Sequence, residues 1–164
     1  MTNHEITHTG GCQCGAVRYA LHAEPTLPHI CHCRMCQKAF GSFFAGLAVV
    51  PVADLEWTRG RPKIFASSNI TDRGFCADCG TPLTFELRGA GRVNFAIGSL
   101  DDPATLAPEI QIGIESRMPW FADLAGLPEK TTTLAIGAER EGQIVSHQHP
   151  DHETPDAPTS GPGS

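Results

Sequence analysis

Aromatic side chains are scarce in this chain: one tyrosine and two tryptophans stand beside eight phenylalanines in 164 residues. The core must therefore be built mostly from aliphatic and phenylalanine-containing segments. Long apolar runs are missing as well. The longest, Phe43 to Val52, is broken by Gly46 and Pro51. It falls well short of the roughly 18 residues a membrane-spanning helix requires, so no membrane partner is expected. Met1 to Gly10 is polar and lacks the apolar segment of a secretory signal. Positive charge is short too, with 12 Lys and Arg against 18 Asp and Glu and a net charge of −6. No basic stripe interrupts that balance, which argues against nucleic acid as a partner. The acidic surface reads as a solubility feature, and the expected location is the cytoplasm.

Glycine and proline, by contrast, are plentiful and spread along the whole chain, 17 and 13 residues respectively. Such punctuation excludes long helices and predicts a mainly β fold of short strands with a few short helical turns. The length suits one domain with a real core, expected over residues 9–146. The segment 147–164 turns to Pro, Asp, Gly, Ser and His and is expected to be a disordered tail.

Local pattern places the elements. Met1 to Thr9 is read as a polar, frayed lead-in carrying His4 and His8. Ala16 to Leu21 alternates, with Val17, Tyr19 and Leu21 on one face, and predicts a half-buried strand. Arg34 to Phe40 holds good helix formers and is followed by Gly41 as a stop. Phe43 to Val50 predicts a buried strand. Leu55 to Trp57 and Lys63 to Ala66 are shorter strand candidates, and residues 81–87 and 92–97 read as a hairpin around Gly89-Ala90-Gly91. Asp102 and Pro103 read as the N-cap and first position of a helical turn. Glu109 to Ser116 is strand-like through Ile110, Ile112 and Ile114.

Seven cysteines carry the chemical signal. They occur as Cys12/Cys14, Cys31/Cys33/Cys36 and Cys76/Cys79. In a reducing compartment, clustered thiols are metal ligands before they are disulfides, and the odd count argues against a complete disulfide framework. Zinc–sulfur bonds of about 2.3 Å require the sulfurs to converge. A C-x-x-C knuckle does this readily, and a C-x-C pair does so when both side chains point to one side of extended chain. Cys12, Cys14, Cys76 and Cys79 together make a closed four-thiolate zinc site. The glycines after Cys14 and Cys79 allow the backbone angles such a knuckle needs. The alternatives are one cluster shared by all seven thiols, or a redox pair at Cys76/Cys79, although no βαβ pattern surrounds that pair.

The triplet Cys31, Cys33 and Cys36 admits three readings: an open zinc with one exchangeable position, a closed site completed by His29 or His32, or free thiols. Cys33 and Cys36 would share one face of the predicted helix. His32 sits between two ligands, so its ring must point away from a metal gripped by both. Three thiolates on Zn²⁺ leave a net charge of −1, a poorer Lewis acid than a three-histidine site and less suited to generating hydroxide. A soft, thiolate-rich zinc suits another sulfur ligand. The chemistry indicated is activation of a small-molecule thiol for attack on an electrophile, or the reverse cleavage of a C–S bond. Arg34 and Lys38, at i and i+4, either attract the carboxylates of a peptide thiol or are plain solvated cations. Ser42, Ser67 and Ser68 read as loop serines. In the tail, His147, His149 and His152 either bind metal weakly or are simply solvated.

Gly11-Cys12-x-Cys14-Gly15, Cys31-His32-Cys33-x-x-Cys36 and Gly74-Phe75-Cys76-x-x-Cys79-Gly80 occur here in that order. With Gly98-Ser99-Leu100-Asp101-Asp102, Pro119-Trp120 and Gly126-Leu127-Pro128, the pattern resembles the glutathione-dependent formaldehyde-activating enzyme family, which includes centromere protein V-like proteins. The likeness spans Thr9 to Pro128. It implies a β-tent type zinc fold of short antiparallel strands and two Zn²⁺ per chain. The structural zinc would be held by Cys12, Cys14, Cys76 and Cys79, and the catalytic zinc by Cys31, Cys33 and Cys36. The implied activity is a carbon–sulfur lyase acting on glutathione and formaldehyde to give S-hydroxymethylglutathione. One departure stands out: Gln111-Ile112 replaces the His-Ile that members often carry before the Pro-Trp segment, which bears on the substrate. The rival reading is a non-catalytic zinc module that binds a protein partner or senses thiols. It would need a closed second site and an exposed apolar patch, for which Trp57, Trp120 and Phe121 are the candidates, core burial being the plainer expectation for each.

Overall fold

The computed structural model of the chain describes residues 5–155. Its strands are β1 (His8–Gly11), β2 (Arg18–Leu21), β3 (Thr26–Cys31), β4 (Ala45–Pro51) and β5 (Leu55–Arg59), then β6 (Lys63–Ala66), β7 (Thr71–Phe75), β8 (Pro82–Leu87), β9 (Arg92–Ala96) and β10 (Ile110–Ile112). They form two sheets, one of three strands ordered β1-β2-β5 and one of seven ordered β10-β3-β4-β9-β8-β7-β6. The predicted mainly β architecture holds. Pairing between these strands is antiparallel except where β10 runs parallel to β3, with Ile112 opposite Cys31. No helix of the described residues is long and apolar enough to cross a membrane.

Helix α1 (Arg34–Phe40) forms where its residues predict it. The Cys33 Sγ accepts the Cys36 N–H at 3.3 Å as its N-cap, and Gly41 ends it in the left-handed conformation at φ 58°. Two further short helices, α2 (Thr132–Ile136) and α3 (Ala138–Glu141), follow the β domain.

One core spans both sheets, joining Tyr19 and Leu21 of β2, Ala48 and Val50 of β4, Leu83 of β8 and Phe95 of β9. Tyr19 is fully buried, meets Trp57 edge-on at 5.9 Å and is hydrogen-bonded to Ser99 at 2.8 Å. Such burial is worth about 1.5–3 kcal/mol for each large side chain. Cys12 and Cys76 belong to this core, so the core itself fixes one member of each outer thiol pair.

Several expectations are corrected. The half-buried strand expected over 16–21 forms only as β2, and its four residues are all buried because Arg18 is neutralised in place by Asp101 through bonds of 2.8 and 2.6 Å. The strand expected from Phe43 begins only at Ala45. Phe43 and Phe44 instead stack on Trp120 and Phe121. Of the strand expected over 109–116, only β10 forms, and Ile110, Ile112 and Ile114 lie exposed at this sheet edge. Asp102 precedes a short 3-10 turn, but its carbonyl rather than its carboxylate accepts from Thr105, at 2.7 Å from the hydroxyl. The lead-in already pairs from His8, opposite Leu21; His4 lies outside the described residues.

Within the segment 147–164, residues 147–155 are described. The His149 N–H donates to Gln13 O at 2.8 Å, and its ring is buried against Gly15, where a Cβ would lie only 2.2 Å away. Glu153 reaches Arg18 at 3.1 Å. These contacts depend on partners more than 80 residues away, which composition does not register.

Candidate metal centres

The seven thiols separate into two groups in space. Cys12, Cys14, Cys76 and Cys79 form one, and Cys31, Cys33 and Cys36 form the other, with the sulfurs of each group within 4.8 Å of one another. Cys12 and Cys14 leave the end of β1, while Cys76 and Cys79 leave the end of β7. Gly15 and Gly80 follow the two pairs with φ of 76° and 78°, the left-handed conformation glycine adopts without steric cost. The Gly15 and Gly80 N–H groups donate back to Cys12 O and Cys76 O, both at 3.0 Å. Two knuckles of different length, each closed by a glycine N–H, therefore meet at one site.

The sulfur spacing suits a tetrahedral ion. Bonds of about 2.3 Å at tetrahedral angles put ligand sulfurs about 3.8 Å apart. Cys12 and Cys14 are separated by 3.6 Å, and Cys14 and Cys76 by 3.8 Å. The Val17 N–H donates to Cys12 Sγ at 3.3 Å and the Thr81 hydroxyl to Cys79 Sγ at 3.1 Å, the kind of outer bonds that orient thiolates. Burial pushes the Cys14 and Cys76 thiols up. Burial also opposes ionisation of Cys79, but the hydrogen bonds from Thr81 and Cys14 together outweigh it and bring that thiol down to about 6.

The triplet is assembled by the end of β3 and the start of α1. Among the described residues, no fourth Cys, His, Asp or Glu donor joins it. His29 is buried with its Nδ1 at 2.8 Å from Leu27 O. The His32 ring is turned away from the sulfurs. It packs edge-on against Phe121 at 4.6 Å, and its Nε2 lies 3.0 Å from Gln111 Oε1. Because Gln111 presents a carbonyl oxygen, His32 carries its proton on Nε2. Its buried Nδ1 is left without a partner. Gln111 thus occupies the strand beside the triplet as an acceptor for His32.

Arg73 of β7 supplies the charge nearest the triplet. Its Nη2 donates to Cys36 Sγ at 3.4 Å. The hydrogen bond from Cys31 holds the Cys36 thiol down to about 5, burial opposing and Arg73 assisting. The same bond and burial push Cys31 up. Gln37, fully within the fold, ties this region together, donating to His32 O at 2.8 Å and Ser116 O at 2.9 Å.

Arg34 and Lys38 are both exposed on α1. Ser67 is more than a loop serine, since its Oγ accepts from Arg73 Nε at 3.1 Å. Ser68 only accepts a local N–H from Ile70. Trp120 is 45% exposed, against the expectation of core burial, whereas Trp57 and Phe121 are half-buried. His147, His149 and His152 form no metal-ligating group among the described residues. Arg73, Gln37 and Thr81 carried no sequence signal, because each acts through a partner brought close only by folding.

The family model for glutathione-dependent formaldehyde-activating enzymes matches residues 7–116. Among solved structures, the chain is similar to a Rhodobacter sphaeroides protein of known crystal structure. The two share 22% identity at a TM-score of 0.52, over 63% of this chain and 98% of that one. That likeness is one of fold.

Proposed function

This chain belongs to the glutathione-dependent formaldehyde-activating enzyme family, and we propose on that footing that it is a zinc-dependent carbon–sulfur lyase working on a glutathione-type thiol adduct. In the direction of addition, the sulfur of glutathione forms a bond to the carbon of formaldehyde. The carbonyl π pair becomes an oxygen lone pair, and the thiol proton ends on that oxygen, giving S-hydroxymethylglutathione. No oxidant or reductant is consumed.

The observation that carries the reading is the inequality of the two thiol groups: four converging sulfurs in one, three in the other with no fourth chain donor among the described residues. Four thiolates suit a closed structural site and three suit an open one. A zinc ion held by Cys31, Cys33 and Cys36 would supply a soft Lewis acid that keeps a bound thiol deprotonated yet nucleophilic. The chain's own contribution is to hold three sulfurs on a short helix and its preceding strand, and to place Arg73 against Cys36. That guanidinium offsets the net charge of −1 expected for a tristhiolate zinc. Cys12, Cys14, Cys76 and Cys79 are assigned the structural ion, which ties the end of β1 to the end of β7. The rival reading, a binding module with a closed second site, finds no fourth Cys, His, Asp or Glu ligand among the described residues.

The test is metal content together with the absorption spectrum of the cobalt-substituted protein, with and without glutathione. Two ions per chain and a glutathione-dependent change in the thiolate-to-cobalt bands are expected. A second site that is filled by the chain and indifferent to added thiol would overturn the reading.

A further inference from the structure

Three cations line one cleft beside the triplet. The cleft measures about 350 Å³ and is walled by Arg34, Met35 and Lys38 of α1, Phe65 of β6, Ser67 and Arg73. No acidic side chain lines it, on a chain whose net charge is −6. A local concentration of positive charge on an acidic protein attracts anions against the overall field.

The inner wall is prepared rather than merely charged. Arg73 is only 7% exposed. Its Nη2 is engaged by Cys36 and its Nε by Ser67, and its guanidinium carbon stands 4.8 Å from the Phe85 ring centre. Its remaining nitrogen, Nη1, is buried and has no hydrogen-bond partner. A buried donor left unpaired is costly, the more so when charged, so the fold holds an incompletely satisfied positive charge at the wall of the cleft. At the rim, Arg34 is held by its Nη1 bond to Gln37 Oε1 at 3.1 Å. Gln37 is itself anchored to His32 O and Ser116 O. Lys38 follows Arg34 by one helical turn on the same face.

We propose that this cleft is the carboxylate subsite for the thiol substrate, with the exposed Arg34 and Lys38 side chains receiving its carboxylates and the buried Arg73 charge behind them. The inference rests on the proposed function and deepens it. Arg73 then keeps its Nη2 on Cys36 and adds its charge to the inner wall. The arrangement selects thiols that carry carboxylates and discriminates against neutral or cationic ones. Charge-assisted contacts of this kind are the strong ones, and forked guanidinium contacts are the most specific.

The experiment uses the zinc-loaded full chain and S-methylglutathione, whose sulfur is blocked while its carboxylates remain. Calorimetry should show binding that weakens with added salt. It should also weaken by about tenfold or more in the Arg34→Ala/Lys38→Ala double variant, two exposed positions whose loss should not disturb folding. Glutathione diethyl ester should bind more weakly than glutathione by a similar factor. Arg73→Gln, with its fold checked by circular dichroism, removes the inner charge and should weaken binding of S-methylglutathione. No binding of S-methylglutathione, equal affinity in the double variant, equal affinity for the diester, or no effect of Arg73→Gln would each overturn the assignment. The proposed function fails separately: if glutathione leaves the cobalt spectrum unchanged while S-methylglutathione still binds through these cations, the subsite stands and the thiol-ligand reading falls.

Discussion

Gln111 Oε1 lies 3.0 Å from His32 Nε2, across the parallel pair of β10 and β3. His32 is fully buried, so this bond is what orients the imidazole of the residue between Cys31 and Cys33 in sequence. Replacing Gln111 by Leu leaves the Nε2–H without an acceptor. An orphaned buried donor costs about 1–3 kcal/mol, and urea unfolding should register a loss of that size. Zinc content should be unchanged, since neither residue ligates.

The Arg18–Asp101 pair predicts how stability depends on acid. Asp101 is held below the ordinary carboxylate range: burial raises it, but the Arg18 and Thr9 hydrogen bonds and the Arg18 charge together outweigh burial. A carboxyl depressed by folding adds stability that is present above its unfolded value of about 3.9 and is lost as pH falls through its folded value. Asp101→Asn removes the forked partner of an arginine that is 2% exposed and leaves it Glu153 alone, a change that costs about 1–3 kcal/mol near neutral pH. Urea midpoints of the two proteins, measured from pH 7 downward, should converge below about pH 4. A constant gap would contradict the pairing.

Much of this was legible because the signals are local. The thiol spacings specify which sulfurs converge, the glycines after Cys14 and Cys79 mark the knuckles, and the Gly41 stop ends α1 where it should. The misreadings have a common physical origin in tertiary partners. Arg18 reads as an outward residue of an alternating strand until Asp101, 83 residues away, neutralises it. Phe43 and Phe44 read as strand residues until Trp120 and Phe121 come across to stack on them. Arg73 is an ordinary strand arginine in sequence and becomes the neighbour of Cys36 only through the packing of β7.

Cysteine replacements should separate the two groups. Cys76 is 1% exposed and part of the main core, and its partners reach it from 62 residues away. Cys76→Ser should therefore lower thermal stability sharply or prevent folding, because metal binding there is coupled to folding. Cys31→Ser should reduce zinc from about two to about one per chain and abolish activity, with the far-ultraviolet circular dichroism retained. Equal consequences for the two variants would contradict the division into a structural and an open site.

Chelation should follow the same division in time. A three-sulfur site with one exchangeable position gives a chelator a coordination position from which to begin ligand exchange. A four-sulfur site must first release one of its own ligands. In the outer group that release means separating the ends of β1 and β7, where Gly15, Gly80, Val17 and Thr81 all hydrogen-bond to the knuckles or their sulfurs. Adding a strong chelator should therefore remove zinc in two phases. The fast phase should carry away the triplet's ion and activity with little change in circular dichroism. The slow phase should coincide with loss of secondary structure, since the ion's binding free energy is folding free energy. Excess zinc should restore activity after the first phase without a refolding lag. Glutathione present beforehand should slow the fast phase alone, because a ligand in the exchangeable position blocks the chelator's entry, whereas uniform protection of both phases would show that the thiol acts elsewhere.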